Sequence, residues 1–216
     1  MSDFTELVFI LDRSGSMSGL ESDTIGGFNS ILAKQKEGGA SVLVSTVLFN
    51  HESKVIHDRC DIREIPLLTE KDYEPAGMTA LLDAVGDAIK HIKRVHRYIR
   101  PEDVPARTMF VITTDGMENS SRKFSGNEVR TLIEEQKKVG WEFIFLGANI
   151  DAVETACSIG ISENRACNFI ADGMGIRQNF ASIGESTMNW MGGCDFSDDW
   201  KKTIDEDFKK RSGKKN

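Results

Sequence analysis

The chain has 216 residues, 39% hydrophobic and 28% charged, which suits one large globular domain or a domain with a tail. Its formal net charge of −7 argues against general nucleic-acid binding, because such proteins normally present a basic surface. No stretch approaches the roughly 20 consecutive apolar residues of a membrane span, so we expect no membrane insertion.

The N-terminus and the cysteines concern the cellular compartment. Residues 1–6 lack the basic and then apolar regions of a secretory signal. The four cysteines are far apart and form no CxxC pair: Cys60, Cys157, Cys167 and Cys194. In a chain that can build its own core, this pattern is typical of reduced thiols, so we expect a cytoplasmic protein.

The first half of the chain predicts three strands and two helices. In order, these are a strand at 7–11, a helix ending at Gly38-Gly39, strands at 41–49 and 54–62, and a helix that Thr79 begins. The run from Leu7 to Leu11 is apolar throughout, as in a strand buried on both faces. The short turn at 50–53 predicts a hairpin whose outer strand is an antiparallel edge.

The second half predicts three more strands and three helices. In order, these are a strand at 109–113, a helix from Ser125 to Gly140 with a capping box, a strand at 143–146, a short helix at 151–160, a weaker strand at 166–171 and a helix containing Ile176, Phe180, Ile183 and Trp190. From Asp195 onward the periodicity fades. We therefore expect one domain at 1–195 and a charged, frayed, solvated C-terminal tail at 196–216.

Alternating strands and helices predict an α/β fold with right-handed crossovers. We expect a doubly wound, Rossmann-like, mostly parallel six-stranded sheet with one antiparallel edge strand and helices on both faces. In the order 3-2-1-4-5-6, the first and fourth strands are neighbours at the point where the winding reverses. Ligands bind beyond the carboxyl ends of the strands at that point.

Five oxygen-bearing side chains should meet at this edge of the sheet. Asp12, Ser14 and Ser16 alternate directly after the first strand, Asp115 follows the fourth strand, and Thr79 begins the helix that leads into it. Carboxylate and hydroxyl oxygens suit a hard divalent cation. The first segment alone is equally compatible with a plain turn that favours Asp, Ser and Gly. The predicted convergence of all five is what indicates a metal site.

The segments 12–16, 77–84 and 114–116 together resemble the metal-ion-dependent adhesion site of von Willebrand factor A-type domains. The resemblance covers roughly residues 5–190. It implies a bound Mg²⁺ ion, with Mn²⁺ or Ca²⁺ as alternatives. The implied direct or nearly direct ligands are Ser14, Ser16 and Thr79, and those acting mostly through water or hydrogen bonds are Asp12 and Asp115. One coordination position would be left for an Asp or Glu carboxylate of a partner protein.

The resemblance also implies a non-enzymatic protein-binding adaptor or scaffold of the standalone bacterial or phage intracellular type, such as those found alongside tellurium-resistance systems. Two alternatives stay open. A haloacid-dehalogenase-like Mg²⁺-dependent phosphohydrolase also ends its first strand in Asp, but it needs a second acid two residues later, where this chain has Ser14. The other alternative is a structural subunit with a vestigial metal site. The sequence predicts no oligomeric state.

Several other residues carry weaker expectations. His91 and His96 are five residues apart on one predicted helix, so they do not share a face for zinc and are expected at the surface. Met78 stands where relatives often have a second glycine. Asp83 is either a helix-surface charge or a support for a neighbouring loop. The three tryptophans, Trp141, Trp190 and Trp200, are expected to be packing residues.

Overall fold

The computed structural model describes residues 4–39 and 41–213. The strands are β1 (Thr5–Asp12), β2 (Val42–Phe49), β3 (Ser53–Asp61), β4 (Arg107–Thr114), β5 (Glu142–Ala148) and β6 (Ala166–Phe169). The helices are α1 (Glu21–Glu37), α2 (Leu81–Tyr98), α3 (Gly126–Lys137), α4 (Ala152–Ser158), α5 (Gly173–Met191) and α6 (Lys202–Ser212). None of the helices in the described ranges is both long enough and apolar enough to cross a membrane.

The six strands form one sheet in the order β3-β2-β1-β4-β5-β6. Strands β2, β1, β4, β5 and β6 pair in parallel, and β3 pairs with β2 in the antiparallel sense at the edge. This is the predicted doubly wound arrangement, and it confirms the predicted fold class. Because β1 lies between β2 and β4, the winding reverses on either side of it, where a ligand site is expected.

Strand β1 is buried along its whole length. Leu7 and Phe9 on one face join a core that includes residues of α1 and α5, and Val8 and Ile10 on the other face join a core that includes residues of α2 and α3. Helices cover both faces of the sheet, as a parallel sheet requires. The apolar run that predicted a doubly buried strand is confirmed.

Two local features of the helices follow directly from sequence. Helix α3 has the predicted capping box, in which the side chains and backbone amides of Ser125 and Glu128 cap each other. Helices α1 and α5 pack closely because Gly27 lies against the ring of Phe180. A β-carbon at Gly27 would come within 2.2 Å of that ring, so only glycine permits this approach.

The prediction of a frayed tail after residue 195 was wrong for the part that the structure describes. A 3-10 turn at Asp198–Lys201 and helix α6 follow, and Phe196, Trp200 and Ile204 are buried in the core shared with α1 and α5. Their spacing of four residues is helical, but the charged residues between them hid the pattern. The tail residues 214–216, with Lys214 and Lys215, lie outside the described residues, as do residues 1–3 of the predicted N-terminus.

All three tryptophans are buried, as expected.

Strand β1 also carries a buried charge, at Glu6, whose side chain has no solvent exposure. Glu6 Oε1 accepts a hydrogen bond from Arg59 Nε at 2.7 Å, and Glu6 Oε2 lies 2.5 Å from His96 Nε2. The expectation that His96 lies at the surface was wrong, because its side chain is 11% exposed and packs edge-on against Trp141. His91 is at the surface, beside Asp58. The pairing across α2, β1 and β3 ties three elements together.

We predict that Glu6→Ala lowers the free energy of unfolding by about 3–5 kcal/mol, because it leaves the partly buried Arg59 and His96 without their common partner. Urea unfolding followed by circular dichroism measures this change. The matched control is Glu135→Ala, which removes the solvent-exposed pair between Glu135 and Lys93 and should leave the midpoint near that of the wild type. Equal midpoints for both variants would contradict the importance of the buried pair.

Candidate metal centre

The first predicted ligand, Asp12, is a buried carboxylate at the carboxyl end of β1. Its Oδ1 accepts the backbone N–H of Ser14 at 2.7 Å, a local turn that orients the residues after the strand. Its Oδ2 accepts a hydrogen bond from Thr114 Oγ1 at 2.6 Å. Thr114 ends β4, so this bond links the two strands whose adjacency the fold predicted. Asp12 is thus held from both sides by groups of the chain itself.

Three hydroxyl oxygens lie close to Gly116, the residue that follows Asp115. A β-carbon built on Gly116 would lie 3.1 Å from Thr79 Oγ1, 3.4 Å from Ser16 Oγ and 3.9 Å from Ser14 Oγ. Ser14 Oγ and Ser16 Oγ are 3.0 Å apart, and Ser16 Oγ donates a hydrogen bond to Asp115 Oδ1 at 2.6 Å. The structure therefore brings all five predicted site residues together. A side chain at Gly116 would crowd the hydroxyls, which explains why Asp115 is followed by glycine.

The five site residues differ in their exposure to solvent. Asp12, Ser14, Thr79 and Asp115 are buried, whereas Ser16 is exposed. Ser16 is therefore the member of the set that solvent reaches most readily.

The electrostatics of the site favour an added cation. Burial raises the pKa of Asp12, although hydrogen bonds from Thr114 and Ser14 oppose the shift. Burial also raises the pKa of Asp115, and the nearby charge of Asp12 raises that pKa further, against the hydrogen bond from Ser16. Two carboxylates that lose solvation side by side are stabilised in their charged forms by a bound cation.

The donor set fits a hard cation held largely by neutral oxygens. No group of three or more His, Cys, Asp or Glu side chains suited to a metal occurs within residues 4–39 and 41–213. The oxygen donors gathered at this edge of the sheet are the carboxylates of Asp12 and Asp115 and the three hydroxyls. Mg²⁺ prefers oxygen ligands in octahedral geometry and retains water. Hydroxyl ligands do not neutralise its charge. A cation held at Ser14, Ser16 and Thr79 would therefore attract a further carboxylate from solution.

Sequence reasoning missed Tyr73, which lies beneath the site. Tyr73 is fully buried, and its hydroxyl donates a hydrogen bond to the backbone carbonyl oxygen of Asp12. Burial raises the pKa of this phenol above its usual value, so it remains a donor. The residue lies in the loop between β3 and α2, where no periodicity or motif marks it. Its hydrogen bond to Asp12 forms because that loop passes next to the carboxyl end of β1.

Two residues next to the motif have clear positions. Met78 is 53% exposed and precedes Thr79. Asp83 supports a neighbouring loop, one of its two expected roles, by accepting the backbone N–H groups of residues 122–124.

Comparison of the sequence with known proteins gives no match, either to a family model or to a curated protein. Comparison of the structure with solved structures gives many matches. The PilB minor pilin from Streptococcus sanguinis is 12% identical, with a TM-score of 0.62 over 87% of this chain and 62% of the pilin chain. The vWF domain of the type V pili tip protein Mfa5 from Porphyromonas gingivalis is 10% identical, with a TM-score of 0.63 over 92% of this chain and 99% of that domain.

A third similar structure is proximal thread matrix protein 1 from the mussel byssus, described with a zinc-occupied MIDAS motif, that is, a metal-ion-dependent adhesion site. It is 12% identical, with a TM-score of 0.58 over 86% of this chain and 46% of the matrix protein. The chain thus spans less than two thirds of the pilin and of the matrix protein but nearly all of the Mfa5 domain. Identities this low establish similarity of fold. Together with the strand order, they show that the chain has the von Willebrand factor A-type fold.

Proposed function

We propose that this chain is a non-enzymatic protein-binding module that holds a Mg²⁺ ion and uses it to capture a carboxylate of a partner protein. The proposed metal site comprises Asp12, Ser14, Ser16, Thr79 and Asp115. The observation that carries the proposal is the gathering of three hydroxyls around Gly116 beside two buried carboxylates. This arrangement offers a hard cation oxygen ligands without neutralising its charge.

The structural neighbours support a divalent metal and a binding role. One of them is described with zinc in its MIDAS motif, and others are a minor pilin and a domain of a pilus tip protein. For this chain we propose Mg²⁺ as the native ion, with Mn²⁺ or Ca²⁺ as substitutes, because its site contains only oxygen donors. We further propose a cytoplasmic adaptor role, which the four free cysteines favour.

The surface beside the site suggests how a partner would be recognised. Met78 and Met117 are 53% and 72% exposed, and each lies next to a residue of the site, Thr79 and Gly116 respectively. Methionine side chains adapt to different apolar surfaces at low cost. We propose that the partner presents an Asp or Glu side chain to the metal and apolar side chains to these two methionines.

The phosphohydrolase alternative has less support. Nucleophilic catalysis of this kind by Asp12 needs a second acid two residues later as the acid/base. That position holds Ser14, and both oxygens of Asp12 already accept a hydrogen bond from the chain. A non-enzymatic role therefore accounts better for this geometry.

Partner capture should depend on the metal and on the two serines. In a pull-down from lysate of the native host, a partner should be retained on the immobilised chain with Mg²⁺ and lost with EDTA. The double variant Ser14→Ala/Ser16→Ala should retain none, whereas Ser158→Ala, which removes an exposed hydroxyl on α4, should behave like the wild type.

Retention of the partner that is insensitive to both EDTA and the serine substitutions would contradict the proposal. A Mg²⁺-dependent phosphatase activity of the purified chain that Asp12→Asn abolishes would instead support the enzyme. If calorimetry detects no Mg²⁺ binding in either the wild type or the serine variant, the metal site is vestigial.

Mg²⁺ affinity should fall as the pH is lowered from neutral. Burial raises the pKa values of Asp12 and Asp115 above those of ordinary carboxyls, so protons compete with the metal at a higher pH than at an ordinary carboxyl. Calorimetric titration at pH 7, 6 and 5 measures this loss, together with proton release on binding at the lower values. An affinity that stays constant over this range, with no proton release, would show that neither carboxyl is coupled to the metal.

A further inference from the structure

The loop that follows Asp115, residues 116–124, is fastened to the beginning of helix α2. Asp115 precedes this loop, and Thr79 precedes Ala80, the N-cap residue of the helix. These two site residues come from distant parts of the sequence, so their relative position depends on how the loop and the helix are joined. The hydrogen bonds between the loop and the helix are therefore relevant to the metal site.

Helix α2 has no cap of its own. Its N-cap residue, Ala80, offers no side-chain hydrogen bond, although the first N–H groups of a helix have no partner within the helix. The loop supplies the partners instead. Leu82 N–H donates to Glu118 Oε2 at 2.9 Å, and Asp83 N–H donates to Ser121 Oγ at 3.0 Å. The helix is thus capped by side chains from 36 and 38 positions further along the chain.

Glu118 is the residue that joins the two segments. Its Oε1 accepts the backbone N–H groups of Ser120 at 3.0 Å and Ser121 at 2.7 Å, which shapes the loop. Its Oε2 accepts the Leu82 N–H and the Ser121 hydroxyl, the latter at 2.8 Å. Both carboxylate oxygens are therefore occupied within the chain. Glu118 makes its contribution through these bonds and not as a metal ligand.

The same loop pairs with the backbone of Thr79. Thr79 N–H donates to Asn119 Oδ1 at 2.9 Å, and the Thr79 carbonyl oxygen accepts the N–H groups of Asn119 at 3.0 Å and Ser120 at 3.2 Å. Asp83 reinforces the connection from the helix side by accepting three loop amides. The backbone of Thr79 is consequently held by residues that lie directly beside Glu118.

We propose that Glu118 is a positioning residue for the metal site: it caps α2 from the loop and so holds the Thr79 hydroxyl beside Gly116. This inference rests on the proposed function, since it concerns the same cation. It goes beyond the ligand set by assigning a role to a residue outside the five. Outer groups that orient metal ligands typically change metal affinity 10–100-fold when removed.

Helix α3 offers a matched control. Glu128 also accepts the backbone N–H and the hydroxyl of a serine, Ser125, both at 2.8 Å, and it caps a helix in the same chemical manner. Its cap belongs to α3, and the hydrogen bonds that form this cap join Glu128 to Ser125. Removing Glu128 therefore costs a helix cap without disturbing Thr79.

The test compares Mg²⁺ affinity by calorimetry with the melting temperature of the metal-free protein. Glu118→Ala and Glu128→Ala should both lower the melting temperature, because each removes a helix cap. We expect Glu118→Ala to weaken Mg²⁺ binding 10–100-fold and Glu128→Ala to leave it unchanged. Glu118→Gln, which keeps one acceptor oxygen, should lose less affinity than Glu118→Ala and serves if the alanine variant does not fold.

A double-mutant cycle separates positioning from simple loss of charge. In the Thr79→Ala background, Glu118→Ala should cause little further loss of affinity, because the hydroxyl that it positions is already absent. A further loss as large as in the wild type would contradict positioning through Thr79. Wild-type Mg²⁺ binding that Glu118→Ala leaves unchanged contradicts this inference alone, whereas absence of Mg²⁺ binding by the wild type contradicts the proposed function and this inference together.

Discussion

The hydrogen bond from Thr114 Oγ1 to Asp12 Oδ2 is the interaction on which the candidate site depends. It joins the last residues of two neighbouring parallel strands, β1 and β4, at the point where the sheet changes winding direction. Because both strands are buried on both faces, neither end can move without disturbing the core. The serines after Asp12 and the Asp115-Gly116 turn after Thr114 are therefore brought to one place by the sheet itself.

The third contributor, Thr79, is held by hydrogen bonds to a loop and not by the pairing of strands. It lies in a loop outside the sheet, and its position follows from the hydrogen bonds of residues 118–124 with the start of α2. The site thus combines ligands held by the strands with one held by a loop. Loops generally open more easily than core strands. We therefore expect metal affinity to depend on the hydrogen bonds that join this loop to the start of α2.

Much of the fold could be predicted from sequence because its signals are local. The apolar run at Leu7–Leu11, the helical periodicities and the capping box at Ser125 each indicate an element, and the alternation of strands and helices then restricts the topology. That the five candidate residues lie together could be predicted for the same reason, since three short segments carry them. The oxygen-bearing side chains and the position of the carboxyl ends of β1 and β4 both indicate a ligand site at this edge of the sheet.

The features that sequence did not reveal all depend on tertiary contacts. Glu118 and Tyr73 lie in loops without periodicity, so their hydrogen bonds to distant backbone atoms have no sequence pattern. The sequence around His96 is typical of a surface histidine, because its partner, the buried Glu6, lies 90 positions away in the chain. Helix α6 has few apolar residues, and its packing becomes evident only against β6 and α5.

Anomalous diffraction from crystals soaked in Mn²⁺ tests the central claim most directly. The account predicts one strong peak among the hydroxyl oxygens of Ser14, Ser16 and Thr79, with Asp12 and Asp115 close behind them. A peak elsewhere, or no peak at this edge of the sheet at saturating Mn²⁺, would contradict the assignment of a metal-dependent binding site to this chain.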